Sequence, residues 1–421
     1  MGRTTKARWM PTWNLSGAWN VHEESFFPKL KPLSSLTFRV SYSLTGTPPD
    51  ASYCNALTKL SMNTPYRPTT TDKELGFVVA ALGNDELTYE KKHEFNFGVD
   101  AGFFNNRLNV TFDVYQRRNF DEIAPTVTQL YGTAYANVGS MKSWGEELSI
   151  SSTNVKTNDF SWQTSLIYSH NRTEITNLYN QGRVIDLVQG NGFAKQGYPA
   201  RALFSIPFVG INEKGNPVCI NEKGQATVGD LNFQERNNTD YLIYEGSTDP
   251  IYNGSLGNTF NYKGFHLNLF LTYAFGNVVR LDPVFKAKYN DLTSMTHDFK
   301  NRWMQPGDEN VTNVPGVVSR YEYEQNRTLL STAYNAYNYT SVRTAKGDFI
   351  RLKEISLAYD FPHRWLENSP VNNISLKLQA TNLMLLYADK KLNGQDPEFM
   401  NAGGVASPMP KQFTLTLKLG L

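Results

Sequence analysis

Lys92–Tyr115, with the sequence KHEFNFGVDAGFFNNRLNVTFDVY, contains the pattern that decides the fold. Apolar residues fill alternate positions on both sides of the Asn105-Asn106 pair: Phe95, Phe97, Val99, Ala101 and Phe103 before it, and Leu108, Val110, Phe112 and Val114 after it. A two-residue repeat that lasts for about ten residues predicts a strand with one apolar and one polar face. An Asn pair suits the positive φ angles of a tight hairpin turn. The stretch therefore predicts two long antiparallel strands joined by a short turn.

The same repeat recurs along the whole chain and predicts eleven strands. In order, they span Trp13–Val21, 35–45, 92–103, 107–117, 145–153, 160–170, 254–262, 265–276, 349–361, 374–383 and 411–421. Within 349–361 the pattern is inconsistent, because Arg351 and Lys353 share the parity of Ile355 and Leu357. Either these two basic residues lie beyond the apolar band, or a β-bulge switches the face.

Three features favour a membrane-spanning barrel over a soluble sandwich. The predicted strands have the length that a tilted strand needs to cross a bilayer, about 9–11 residues, whereas most strands in globular proteins have about 5–6. Aromatic residues such as Phe160 and Tyr168 stand at the ends of the apolar rows, as in the interfacial girdles of outer-membrane barrels. The connections also alternate in length: short at Phe104–Asn106, Asn154–Asp159 and Lys263-Gly264, and long at roughly 46–88, 119–143, 172–251, 277–347 and 384–410.

These features predict an all-β fold, an antiparallel transmembrane β-barrel portion with long extracellular loops and an apolar face against outer-membrane lipid. An odd number of strands is unexpected, because single-chain bacterial barrels have an even number. The count therefore predicts that upstream strands are missing and that Met1, which opens a stretch without a signal peptide, is an artificial or truncated start. The alternatives are a soluble extracellular all-β binding protein or adhesin, and a passive porin.

Composition excludes several functional classes. A net charge of +2 argues against a nucleic-acid partner, and 13% aromatic residues argue against disorder. The isolated Cys54, Cys219 and histidines predict no metal or redox site. Dinucleotide, phosphate-loop, zinc-protease and hydrolase motifs are missing from the sequence, so we expect neither enzymatic activity nor a cofactor.

A short repeat lies in one of the long connections. Ile211–Gly215 and Ile220–Gly224 both read INEKG. The glycines predict a pair of hairpins with tight turns. Calcium ligation by the acidic residues is the alternative.

An ordered set of segments resembles a known family. The matching segments are Trp19-Asn20 with Glu23-Glu24, Leu36–Gly46, Leu87–Lys91, Asn137–Gly139 with Gly145–Glu147, Gly197–Pro199, Arg302-Trp303 through Gly307-Asp308, Phe349–Tyr359 with Pro362, Ala380–Leu383, Gly394–Glu398 and Pro408–Lys411. On these segments the chain resembles the C-terminal half of the SusC/RagA family of TonB-dependent outer-membrane transporters of Bacteroidota. Leu421 departs from the aromatic residue that ends many outer-membrane barrels.

The resemblance implies a barrel of about 22 strands with an N-terminal plug and a TonB-contacting segment. It also implies a SusD-like surface lipoprotein as partner, and TonB-energised import of an oligosaccharide or a peptide across the bacterial outer membrane. Residues 1–421 would be the C-terminal part of such a barrel, without the signal, plug and TonB-contacting segments. The candidate substrate-binding residues are loop tyrosines that could stack on sugar rings or peptide side chains: Tyr321, Tyr323, Tyr334, Tyr337 and Tyr339. The alternative is that these tyrosines only pack the loops against the lipoprotein.

Overall fold

The computed structural model describes residues 6–27, 32–50, 56–64, 71–128, 132–289, 292, 294–367, 370–402 and 410–420. Among the residues discussed above, Met1, Cys54, Pro408, Met409 and Leu421 lie outside these ranges.

One antiparallel sheet of eleven strands dominates the structure, and each strand pairs with its neighbour in chain order. We number them β1 (Trp13–Asn20), β2 (Leu33–Thr47), β3 (Glu90–Phe103), β4 (Leu108–Thr128), β5 (Gly132–Lys156), β6 (Phe160–Leu178), β7 (Tyr252–Tyr262), β8 (Phe265–Phe275), β9 (Phe349–Asp360), β10 (Asn373–Ala388) and β11 (Gln412–Gly420). The eleven strands predicted from the two-residue repeat are therefore confirmed. The sheet is not closed, and β1 and β11 form its two edges.

Short turns join strands at one end of the sheet, as predicted. Phe104, Asn105 and Asn106 all have positive φ angles, from 56° to 58°. Lys263 and Gly264 form the two-residue turn between β7 and β8, with φ angles of 45° and 86°. Positive φ at both central residues matches the twist of the flanking strands. We call this end of the sheet the short-turn end and the opposite end the long-loop end.

The prediction of a long loop at 119–143 is wrong. Strands β4 and β5 stay paired through most of this segment, from Phe120 opposite Ser140 up to Thr128 opposite Gly132. An irregularity at Asp121, where φ is 60°, interrupts the register. Strands β6 and β10 likewise run on into segments that were predicted to be loops. Water contacts both faces of a hairpin that extends beyond the bilayer, so its sequence needs no apolar–polar alternation.

A bulge at Lys353 resolves the inconsistent pattern in β9. Leu271 of β8 pairs with Leu352, whereas the preceding Phe270 pairs with Glu354, so Lys353 is left without a partner in this register. The bulge puts Leu352 on the same face as Ile355 and turns Arg351 to the opposite face. The second of the two alternatives is therefore confirmed.

Smaller elements form a cap at the long-loop end. Short strands form three two-stranded sheets and one three-stranded sheet: Lys59–Asn63 with Gly76–Ala81, Ala202–Ser205 with Ile243–Ser247, Val278–Arg280 with Thr344–Lys346, and Phe208–Ile211, Pro217–Ile220 and Ala226–Thr227 together. The helices of the cap are α1 (Val184–Val188), α2 (Arg320–Gln325) and α3 (Arg327–Asn338), with short 3-10 helices at His297–Asn301, Asp308–Asn310, Ser341–Arg343, Lys390–Leu392 and Pro397–Ala402. Two further 3-10 helices, Val21–Glu23 and His363–Trp365, lie at the short-turn end. The predicted INEKG hairpins are confirmed, with Gly215 and Gly224 at φ angles of 78° and 75°. None of the helices in the described ranges has the length and apolar character needed to cross a membrane.

In the described ranges, the clusters of buried apolar residues lie in the cap. One cluster joins α1 to the strand Ala202–Ser205 and α3, with Val184, Phe204 and Ala336 all at most 2% exposed. By contrast, the side chains in the apolar rows of the sheet are exposed: Leu15 is 73% exposed and Leu415 is 69% exposed. An uncovered apolar face this large is expected where lipid replaces a second layer of protein.

Candidate functional site

The candidate site is the polar face of the sheet together with the cap at the long-loop end. Because alternate residues of a strand point to opposite faces, the apolar rows define an outer face and the polar rows an inner face. In a barrel the inner face lines the lumen. The inner face and the cap are therefore the surfaces that a solute inside such a lumen would contact.

An ion-pair network crosses three strands of the inner face. Arg39 of β2 lies opposite Gly98 of β3, and Gly98 lies opposite Asp113 of β4. The Arg39 guanidinium reaches over Gly98 and places Nη2 3.1 Å from Asp113 Oδ2, while its Nε is 2.7 Å from Asp100 Oδ2. A Cβ atom at position 98 would stand only 2.7 Å from Arg39 Nη2. Glycine is therefore required for this guanidinium to cross β3.

A second polar cluster lies nearer the cap. Glu94 Oε2 is 2.8 Å from Lys92 Nζ, and Glu94 Oε1 is 3.3 Å from Arg117 Nη2. The Arg117 guanidinium lies over the Tyr115 ring at 4.2 Å, and the Tyr115 hydroxyl donates to Asn171 Oδ1 at 3.1 Å. These charges are part-exposed, so each pair contributes little stability, about 0–1 kcal/mol. Their main effect is to present both signs of charge along the inner face.

Arg280 holds three segments of the cap together. Its guanidinium donates to the carbonyl oxygens of Val188, Phe204 and Thr340 and to the Ser205 hydroxyl, at 2.6–3.3 Å. Burial lowers the pKa of Arg280 to about 9. The group therefore stays charged at neutral pH, and its four acceptors replace the lost hydration.

Arg343 anchors the segment that follows β8. Its Nη2 donates to the Asp282 carbonyl at 3.0 Å, and its Nη1 lies 3.6 Å from Asp298 Oδ2. The guanidinium also lies over the Phe285 ring at 4.8 Å. Burial lowers the pKa of Arg343, while its neighbours favour the charged form. The long connection between β8 and β9 is thus held at several points.

Arg351 ties the sheet to the cap. The bulge at Lys353 turns Arg351 inward, where Nη2 lies 2.5 Å from both carboxylate oxygens of Asp396. The two side chains are only 5% and 7% exposed. Glu398 adds an oxygen 3.1 Å from Arg351 Nε. This cluster joins two of the segments on which the family resemblance rests, Phe349–Tyr359 and Gly394–Glu398.

The five candidate tyrosines lie in different environments. Tyr334 and Tyr337 of α3 are 1% and 2% exposed. The Tyr334 hydroxyl donates to the Gly316 carbonyl at 2.6 Å, and Tyr337 packs edge-on against Phe285. Burial raises the pKa of both phenols. In this structure neither ring has a face that a ligand could reach, so the sequence-based role in stacking has to be given up for these two.

The other three tyrosines remain accessible. Tyr321 is 78% exposed. Tyr323 lines a groove of about 280 Å³ together with Lys288, and its hydroxyl lies 3.3 Å from Ser331 Oγ. Tyr339 is half-buried and lines a separate groove of about 290 Å³ beside Arg280. The structure therefore does not bring the five tyrosines together into one binding surface.

Sequence reasoning overlooked the buried arginines of the cap. Arg351 did leave a signal, since a basic residue in an apolar row indicates an irregularity. Arg280 and Arg343 left no such signal, because their acceptors are mainly backbone carbonyls of distant segments. In the described ranges, no group of three or more His, Cys, Asp or Glu residues could hold a metal ion.

Cys219 offers a direct test of cap packing. It is 3% exposed, and burial raises the pKa of its thiol to about 12. Because the thiolate is the nucleophile, we expect iodoacetamide at pH 8 to alkylate Cys219 in the folded protein at least 100-fold more slowly than in guanidinium chloride. The alkylation rate is measured in a Cys54→Ser background, so that Cys219 carries the remaining thiol of the chain. Equal rates would contradict a packed cap.

Comparisons with known proteins agree with this geometry. The family model described as "TonB dependent receptor-like, beta-barrel" matches residues 2–383. TonB-dependent receptor P3 of Formosa agariphila is 25% identical over 405 residues, which cover 90% of this chain and 37% of that protein. TonB-dependent receptor SusC of Bacteroides thetaiotaomicron is 25% identical over 441 residues, covering 98% and 40%.

The solved structure of the RagAB peptide transporter has a similar fold. A chain of that structure superposes with a TM-score of 0.76 at 24% identity, covering 97% of this chain and 43% of that one. This chain thus spans less than half the length of these relatives. Because the family model covers most of the chain, the chain belongs to the TonB-dependent receptor-like β-barrel family, and its place is the bacterial outer membrane.

Proposed function

We propose that the chain forms the C-terminal part of an outer-membrane transporter that imports a bulky nutrient, an oligosaccharide or a peptide, with energy from TonB. The proposal includes a SusD-like lipoprotein that closes the extracellular mouth. It rests above all on one observation, the polar inner face that leads from an ordered cap to the short-turn end. No catalytic role is proposed.

The arrangement of charge supports a lumen for polar cargo. The inner face alternates cations and anions within single clusters, as around Arg39 and Glu94. A surface of mixed charge offers hydrogen-bond partners for hydroxyl and peptide groups without holding a cargo of one charge tightly. Release toward the periplasm requires such weak binding.

The cap supports a role in selection. A passive porin needs no packed cap, whereas here the long connections share a core and buried arginines. Exposed Tyr321 and the groove at Tyr323 are the places where a sugar ring or an aromatic peptide side chain could stack. One solved relative is named a peptide transporter, which supports the peptide class of cargo.

An uptake assay tests the proposal. Cells that produce the complete transporter containing this chain are given fluorescent oligosaccharides and fluorescent peptides in parallel. We expect uptake of one class, and a fall of at least tenfold after deletion of TonB or dissipation of the proton gradient. Tyr321→Ala combined with Tyr323→Ala is expected to raise the half-saturating concentration of that class several-fold.

The control replaces an exposed tyrosine at the other end of the sheet. Tyr262, next to the turn between β7 and β8, is 51% exposed, and Tyr262→Ala is expected to leave uptake unchanged. Uptake that continues without TonB would support a passive porin instead. Co-purification of a surface lipoprotein with the transporter tests the proposed partner separately.

A further inference from the structure

A groove lies on the outer face of the sheet, away from the proposed path of the cargo. It measures about 610 Å³, and its lining residues come from β2, β3 and β4: Tyr42, His93, Phe95, Gln116, Arg118 and Phe120. All six have the parity of the apolar rows, so the groove opens toward lipid and not toward the lumen.

The groove lies at the height of the outer-leaflet headgroups. On β3 the outer row runs from Phe103 at the short-turn end through Phe97 and Phe95 to His93. At about 3.4 Å per residue and a tilt of about 40°, His93 stands roughly 26 Å above Phe103, and the apolar band of such barrels is about 25 Å tall. Long loops mark the extracellular side of these barrels. His93 and Arg118 therefore lie where the hydrocarbon of the outer leaflet ends.

Aromatic contacts fix the shape of the groove. His93 Nδ1 and the Tyr42 hydroxyl are hydrogen-bonded at 2.9 Å. The His93 ring stacks on Tyr42 at 5.6 Å on one side and on Phe120 at 5.3 Å on the other. Below them the exposed rings of Phe95 and Phe97 continue the apolar surface. The groove thus has a rigid aromatic wall above a surface suited to acyl chains.

Arg118 supplies an unsatisfied charge in this groove. It lies opposite His93 on one side and opposite Lys142 on the other. Lys142 is paired with Glu174 at 2.8 Å, whereas Arg118 is exposed and has no ion-pair partner among the described residues. Because Glu174 already pairs with Lys142, the Arg118 guanidinium is the cation of this groove that an added anion would neutralise.

We propose that this groove binds the phosphorylated headgroup of a glycolipid of the outer leaflet. The Arg118 guanidinium would bind the phosphate with two hydrogen bonds, and the aromatic wall would pack against the sugar ring. The acyl chains would lie against Phe95 and Phe97. The site faces away from the lumen and is independent of the proposed function.

Lipid retention tests this site. The complete transporter is purified in detergent, incubated with phosphorylated lipid A or with the same lipid A after removal of its phosphates, and examined by native mass spectrometry. We expect at least tenfold more retention of the phosphorylated form. Arg118→Gln should reduce that preference to threefold or less, and Arg118→Lys should restore part of it. Because Arg118 is exposed, heat-modifiable electrophoretic mobility should show a folded barrel for every variant.

The control removes a positive charge away from the groove, on the inner face at the short-turn end. Lys156 is exposed and ends β5 at the short-turn end, so Lys156→Gln should retain lipid like the unchanged protein. Equal retention of both forms of lipid A, or an Arg118→Gln variant that still prefers the phosphorylated form, would overturn the proposal. Displacement of the lipid by millimolar inorganic phosphate would also overturn it, since the site would then bind phosphate alone.

Discussion

Asp396→Asn is expected to loosen the attachment of the cap to the sheet by about 3 kcal/mol, the lower end of the range for breaking a buried ion pair. The substitution preserves size and shape but leaves the Arg351 guanidinium, which is 5% exposed, without its main counter-charge. Glu398, 3.1 Å from Arg351 Nε, limits the loss. By the relation of about 1.4 kcal/mol per factor of ten, amide hydrogen exchange in β9 and in 389–402 should become about a hundredfold faster.

Two further variants separate charge from packing. Glu398 is 37% exposed in its side chain, so Glu398→Gln should cost no more than about 1 kcal/mol. Adding Arg351→Met to Asp396→Asn should recover part of the loss, because the double variant no longer buries an unpaired charge. Unchanged exchange in Asp396→Asn would mean that this pair does not hold the cap.

The strands could be predicted from the sequence because their two faces contact different surroundings. A strand such as β3 has lipid on one side and a polar lumen on the other. Apolar and polar residues therefore alternate along its sequence. Where β4 and β5 continue past the bilayer, water contacts both sides and the contrast disappears. The sequence pattern therefore does not indicate the hairpin at 119–143, although its two strands stay paired up to Thr128 and Gly132.

The cap could not be predicted in the same way. Tyr334 and Tyr321 belong to one connection, and no local pattern tells that one is buried and the other exposed. Their environments depend on contacts with distant segments, such as the Gly316 carbonyl that accepts from Tyr334. Arg351 is an intermediate case between the strands and the cap. Its position in an apolar row of the sequence indicates the bulge, but nothing in the sequence indicates its partner Asp396.

A second large effect is expected on stability when a charge is placed on the outer face. Val99 is the third of five outward apolar residues on β3, between Phe38 and Phe112, which places it near the bilayer midplane. Val99→Arg is expected to lower the free energy of unfolding in lipid vesicles by about 2–4 kcal/mol. Guanidinium titration of the complete transporter, refolded into vesicles, measures this difference.

Two variants serve as controls for Val99→Arg, one at a different depth in the bilayer and one on the other face of the strand. Phe95, on the same row near the outer interface, should tolerate arginine at a cost of about 0–1 kcal/mol apart from the lost aromatic contacts. Asn96 points to the inner face, between Ser41 and Tyr115, and Asn96→Arg should cost less than Val99→Arg. A soluble sandwich would bury Val99 and Phe95 alike between two sheets, so arginine would be costly at both positions and the cost would not follow bilayer depth. A cost that peaks at Val99 and fades toward Phe95 is the result that only a lipid-facing strand produces.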